Sequence, residues 1–124
     1  MMDVDAPGDD WWVHWLIWNI PGDWKGIREG APRVKELPYG VLQGMNSWPS
    51  GNIGYRGPDP PVNSGKHHYH ICLYALSDYL QAPGGVTEEW LELAMRDHVL
   101  TRRKIIVTYE RKRSVRDDVP VVIM

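Results

Sequence analysis

Gly65-Lys66-His67-His68-Tyr69-His70-Ile71-Cys72-Leu73-Tyr74-Ala75-Leu76 is the stretch whose reading decides the fold class. From His68 to Leu76 it alternates or runs apolar and is rich in tyrosine and isoleucine, the pattern of a central β-strand. Side chains two apart on a strand share a face. His67 and Tyr69 are therefore expected on one face, and His68 and His70 on the other. Cys72 is the single cysteine of the chain, so it has no internal disulfide partner. Set between Ile71 and Leu73 it reads as a small buried thiol, which fits a reducing cytoplasm.

Upstream of this strand, residues 46–66 are dominated by Gly, Pro, Ser and Asn and are too long for a simple turn. Ordered loops of that length in compact domains are usually functional. Tyr39 to Met45 reads as a short strand, and residues 22–38, with no clear period, as a loop. Val13 to Ile20 is apolar and rich in β-formers, and Pro21-Gly22-Asp23 ends it, which predicts one buried strand and a turn. Downstream, Pro83-Gly84-Gly85 breaks the chain. Thr87 is placed to cap a helix, with Glu88 and Glu89 in a first turn where the helix dipole favours them. Trp90, Leu91, Ala94, Met95 and His98 continue at helical spacing. Lys104 to Tyr109 is a further strand, and Val119 to Met124 is either one more strand or a loose tail. The expectation is one mainly β domain over residues 1–124, with one helix in its C-terminal half and a flexible tail at 114–124.

The composition narrows the function. At 124 residues and 43% hydrophobic, the chain is long and apolar enough for one packed core. A net charge of −2 argues against nucleic acid, which calls for a basic face. The basic clusters Arg102-Arg103-Lys104 and Arg111-Lys112-Arg113 are short, and Glu110, Asp117 and Asp118 dilute the second. No secretion signal and no membrane-spanning apolar run are seen. There are 7 Trp and 6 Tyr but no Phe, and the tryptophans are expected mostly to take the place of Phe in the core.

Three places can carry chemistry. In Asp3-Val4-Asp5-Ala6-Pro7 an extended backbone would put Asp3 and Asp5 on one face, where paired carboxylates hold a cation, share a proton or accept from a polar head group. Aspartate near proline is also ordinary turn chemistry. His14 lies inside an apolar strand, so it must find a partner or face a cavity. In the third, Gly57-Pro58-Asp59-Pro60-Pro61 makes a stiff rim before His67 and Tyr69, an imidazole and a phenol that can donate to phosphate or carboxylate oxygens. His68-x-His70 has the spacing to chelate a metal from one strand, with His14 or His98 as a third ligand, and this gives the alternative of a metal-dependent hydrolase. Strand alternation counts against it, because His67 and His68 cannot face one metal without distortion.

The order of these pieces is specific: Asp3-x-Asp5-Ala6-Pro7, His14-Trp15 with Trp18-Asn19-Ile20-Pro21, Gly54-Tyr55-x-Gly57-Pro58-x-Pro60-Pro61, then Gly65-x-His67-x-Tyr69. This set resembles the phosphatidylethanolamine-binding protein (PEBP) family. Glu29-Gly30-Ala31-Pro32, Gln43-Gly44-x-Asn46 and His98-Val99-Leu100 resemble its bacterial Raf-kinase-inhibitor-like members. The resemblance implies a large antiparallel sheet, a smaller second sheet, and a small pocket for an anion such as phosphate, phosphoethanolamine or a carboxylate. It implies no catalysis and no cofactor, and protein kinases or serine proteases as partners. Carried over by motif, the pocket residues are Asp3, Asp5, His14, Tyr55, Gly57, Pro60, Pro61, His67 and Tyr69. Two departures stand out. The family has Arg after the pocket His, where this chain has His68. The family also carries strands before the Asp-x-Asp-Ala-Pro motif, with which this chain begins, so an N-terminally truncated sheet with an exposed edge is expected, and with it a homodimer.

Overall fold

The computed structural model describes residues 1–113, 120 and 122–124. In chain order the elements are β1 (Met2–Asp3), β2 (Trp12–Val13), β3 (Ile17–Trp18), β4 (Leu42–Gln43), β5 (His67–Leu76), α1 (Glu88–Met95) and β6 (Val99–Tyr109). A four-stranded antiparallel sheet has the order β2-β1-β5-β6, and β3 pairs with β4 in a second, two-stranded sheet. The fold is mainly β with antiparallel sheets and, among the described residues, one α-helix.

The strand around Tyr69 lies inside the larger sheet, between β1 and β6, and starts at His67. Its faces alternate as its sequence dictates: His67 and Tyr69 are buried, His68 is exposed and His70 half-buried. The expected strand over Val13–Ile20 is broken in two. Trp12–Val13 pairs with β1, and Ile17–Trp18 pairs with β4 in the other sheet. Between them the N–H groups of His14 and Trp15 both donate to the Met1 carbonyl, at 2.8 and 3.2 Å, and Arg56 N–H donates to the His14 carbonyl at 3.0 Å. The crossing from one sheet to the other therefore happens at His14.

Leu16, Trp18, Leu80, Ala82, Val86 and Leu91 form the core, with Val13, Leu42, Leu76, Ala94 and Met95 packed on it. Burial of this apolar surface is what holds the two sheets and α1 together. Gly44 is required here, because a Cβ on it would lie 2.7 Å from the Val86 carbonyl oxygen and 3.1 Å from Leu16. The helix starts as expected, with Thr87 Oγ1 accepting from Trp90 N–H and Glu88 and Glu89 in the first turn. It ends at Met95, so His98 lies outside it; His98 N–H donates to the Met95 carbonyl instead.

Three expectations are corrected. Cys72 is exposed rather than buried: this stretch of β5 is open on both faces, with Ile71 and Leu73 exposed on the opposite side. Of the tryptophans only Trp18 is buried; Trp11, Trp24 and Trp90 are exposed and the others half-buried. Val122, Ile123 and Met124 are exposed and form no strand, while 114–119 and 121 lie outside the described residues.

One surface is unusual. The pairs Tyr69↔Val107, Ile71↔Ile105 and Leu73↔Arg103 place these side chains on one face of the β5–β6 ribbon. Tyr69 is covered, but Leu73 is 66% and Ile105 62% exposed, with Ile71, Val107 and Tyr109 also open. Every residue of β6 is exposed, and it is the edge of its sheet.

Candidate functional site

The structure brings together Asp3, His14, His67 and Tyr69, all nearly inaccessible to solvent, where the chain passes from the large sheet toward the small one. Asp3 ends β1 and lies in register with Tyr69 on β5. Its Oδ2 is 2.6 Å from His67 Nδ1, and its Oδ1 accepts from Asp5 N–H at 2.9 Å. His67 Nε2 is 2.9 Å from the hydroxyl of Ser64, which is itself 2.7 Å from the Pro61 carbonyl oxygen. Only one arrangement satisfies both contacts of that hydroxyl: Ser64 donates to the carbonyl and accepts from Nε2. Nδ1 in turn donates to the Asp3 carboxylate. The ring is thus held at both nitrogens, by Asp3 on one side and by Ser64 on the other.

His14 stands edge-on to Tyr69, ring centres 5.2 Å apart, and to Trp48 at 4.9 Å. Its Nδ1 donates to the Arg56 carbonyl at 2.7 Å, and burial lowers its pKa from the ordinary 6.5. The Arg56 guanidinium lies over the Trp48 ring at 5.4 Å. Tyr69 is fully buried, yet its hydroxyl has no hydrogen-bond partner at good geometry. Burial, the charge of Asp3 and hydrogen bonding toward the Asp3 carboxylate push its pKa up to about 12, so it stays a neutral phenol.

The remaining motif residues are spread around this cluster. Gly57 has the Tyr55 hydroxyl as its nearest side-chain neighbour, and Tyr55 is 40% exposed and packs edge-on to Trp15. Pro60 is buried; Pro61 is exposed and reaches the cluster only through its carbonyl. Asp5 does not share a face with Asp3. The strand stops at Asp3, and the turn that follows carries Asp5 to the other side of β5. There Asp5 Oδ2 accepts from both the backbone N–H and Nδ1 of His68, each at 2.7 Å. These bonds lower the Asp5 pKa from its ordinary 3.8, the His68 side chain contributing most. Each aspartate thus holds one of two successive histidines, one pair inside and one outside.

Ser64 was not foreseen. It sits in a loop of Gly, Pro, Ser and Asn, and its only signal is a position three residues before His67. The loop is held in place from the chain just after β6: Arg111 pairs with Asp59 at 2.6 Å, and Asn63 N–H donates to the Arg111 carbonyl at 2.8 Å.

The metal reading gains no geometry. His67 and His68 point to opposite faces, His70 packs against Trp11, and His98 Nδ1 is 3.2 Å from the Ser77 hydroxyl. Among the described residues no group of three or more His, Cys, Asp or Glu is arranged to hold a metal. Two surface hollows, of about 570 and 690 Å³, are lined in part by α1, the second also by Met2, Trp11 and Asn46, and neither includes Asp3, His14, His67 or Tyr69. No helix among the described residues is long and apolar enough to cross a membrane.

Comparison with known proteins agrees with this geometry. The description of the phosphatidylethanolamine-binding protein family matches residues 1–110. A UPF0098 protein of Methanothermobacter thermautotrophicus is 46% identical over 109 residues, covering 88% of this chain and 69% of its own length. A UPF0098 protein of Pyrococcus horikoshii is 42% identical over 112 residues, and the chain spans 89% of itself but 54% of that relative. The crystal structure of a PEBP homologue from Chlamydia trachomatis superposes with a TM-score of 0.74 at 34% identity, covering 89% of this chain and 68% of that one. A Mycobacterium tuberculosis relative, 34% identical over 109 residues, is named as the lipoprotein LppC.

Proposed function

Because this chain belongs to the phosphatidylethanolamine-binding protein family, we propose that it is a binding module for a small phosphate- or carboxylate-bearing ligand, phosphoethanolamine among them, and not an enzyme. The observation that carries the reading is the buried Tyr69 hydroxyl, outside hydrogen-bond geometry with any side chain, beside the His67 ring. An anion would accept from both, and in so buried a place each contact is strong. Asp3 orients the imidazole, His14 and Tyr55 wall the site, and Gly57, Pro60 and Pro61 form its rim. Asp5 acts from outside, by holding the turn that carries Asp3.

The test is calorimetric titration of phosphate, phosphoethanolamine and acetate into wild type, His67→Ala and His70→Ala. His67→Ala should weaken binding at least about tenfold through loss of a charge-assisted donor. His70→Ala, on the other face, should change it little; equal losses would refute the assignment. Regulation of a kinase or serine protease would use the surface around this site, and inhibition assays with purified enzymes check it. We place the protein in the cytoplasm on its lone free thiol, which cell fractionation tests.

A further inference from the structure

We infer that Ser64 is an internal competitor of the ligand: its hydroxyl oxygen occupies the donor of His67 that an anion must reach. The inference rests on the anion-binding reading above and adds what sets the affinity of that site.

Of the two ring nitrogens of His67, Nδ1 is committed to Asp3 at 2.6 Å. Nε2 is therefore its one donor for a ligand, and the Ser64 oxygen already sits on it at 2.9 Å. The hydroxyl is suited to this part because its own proton is taken by the Pro61 carbonyl at 2.7 Å, which leaves the oxygen as an acceptor. Ser64 N–H donates to the same carbonyl at 3.3 Å, so the turn 61–64 closes on itself and presents the oxygen inward. Asn63 and Gly65, on either side, both have positive φ, 59° and 85°, and set the sharp reversal that aims Ser64 at the ring. A ligand oxygen seeking Nε2 must displace this contact. Yet Ser64 is exposed and its hydroxyl proton goes to its own turn, so the displacement is local.

A site that is competent only when its cap is off shows an apparent affinity reduced by the fraction of molecules uncapped. A hydrogen bond to a charged ring, at a position open to water on one side, is expected to hold that fraction to about a tenth to a third. Ser64→Ala removes the competing oxygen and leaves every donor in place. Its affinity for inorganic phosphate should rise about three- to tenfold. Ser64→Thr keeps the hydroxyl and should bind as wild type does. Ser64→Asp puts a carboxylate on Nε2 and should abolish binding.

The experiment is titration of inorganic phosphate into the 124-residue chain and these three variants at one pH, with His67→Ala alongside. A general loosening of the loop would weaken binding, so the sign of the Ser64→Ala effect separates competition from a structural role. Unchanged or weaker binding by Ser64→Ala, with His67→Ala still impaired, overturns the competitor and leaves the anion site standing. Unchanged binding by His67→Ala removes the anion site, and the competitor with it. If Ser64→Ala melts early, Ser64→Gly serves in its place, and the 15N shift of His67 Nε2 on phosphate addition to wild type reports whether its acceptor is exchanged.

Discussion

Replacing Asp3 by alanine should unfold this protein far more readily than replacing Asp5, though the two stand two residues apart in one motif. The Asp3 side chain is 6% exposed and its partner His67 3%. Removing one member of a buried pair costs about 3–5 kcal/mol, because the other is left charged and unpaired. Here the ring can shed its Nδ1 proton and keep its Nε2 bond to Ser64, which places the cost nearer the lower figure, about 3 kcal/mol. The Asp5 N–H loses its acceptor as well. For a domain of this size the loss corresponds to a fall in melting temperature on the order of 10 °C. Asp3→Asn keeps an acceptor for Nδ1 and should lose about half as much. Asp5, whose carboxylate is in solvent, should matter little to stability. Guanidinium unfolding followed by tryptophan fluorescence measures all three, provided the m-value is unchanged. If Asp3→Ala is no less stable than Asp5→Ala, the buried contact between His67 and Asp3 does not support the fold as described.

Tyr69→Phe should change the stability of the ligand-free protein by no more than about 1 kcal/mol, since the hydroxyl it removes meets only the nearby Asp3 carboxylate at poor geometry, and should weaken phosphate binding; thermal melts and titration check the two halves. The lowered pKa of His14 makes the unfolded chain take up its proton first, so stability should fall as pH drops below 6.5. The buried Met1 ammonium, lowered from 8.0, works in the same direction, and Asp5, depressed from 3.8, adds its loss only in stronger acid, so His14→Gln should reduce, without abolishing, the difference between denaturation at pH 7.5 and 5.5. The open apolar face at Ile71, Leu73 and Ile105 should make the chain self-associate, visible as concentration-dependent sedimentation, and Ile105→Glu should return it to monomer.

The inward and outward histidines of β5 were legible because a strand has a period of two and nothing interrupts it. The Thr87 cap was legible because it depends on neighbours within one turn. Failures came where distant backbone decided the outcome. Nothing in Val13–Ile20 signals a break, since the groups that turn the chain at His14 are the carbonyl of Met1 and the N–H of Arg56. Asp3 and Asp5 look equivalent by spacing, but β1 ends between them. Cys72 and the tryptophans were judged by their apolar neighbours along the chain, whereas exposure depends on what covers a face. Ser64 had no chance of notice, being one small polar residue in a loop full of them.

The bonds from Arg111 to Asp59 and Asn63 connect the chain beyond β6 to the turn that holds Ser64. Arg113 N–H adds another, to Asn63 Oδ1 at 3.2 Å. Residues 111–113 are therefore mechanically in series with the turn that holds Ser64. Tension, a bulky fusion, or a partner gripping that segment would be felt first at Asn63 and next at Ser64, one residue along. An affinity tag placed there is not a neutral handle: it would report on binding through a slackened or tightened loop. The same linkage gives a readout that needs no labelled ligand. Amide exchange at Asn63 should quicken when phosphate draws Ser64 away from His67.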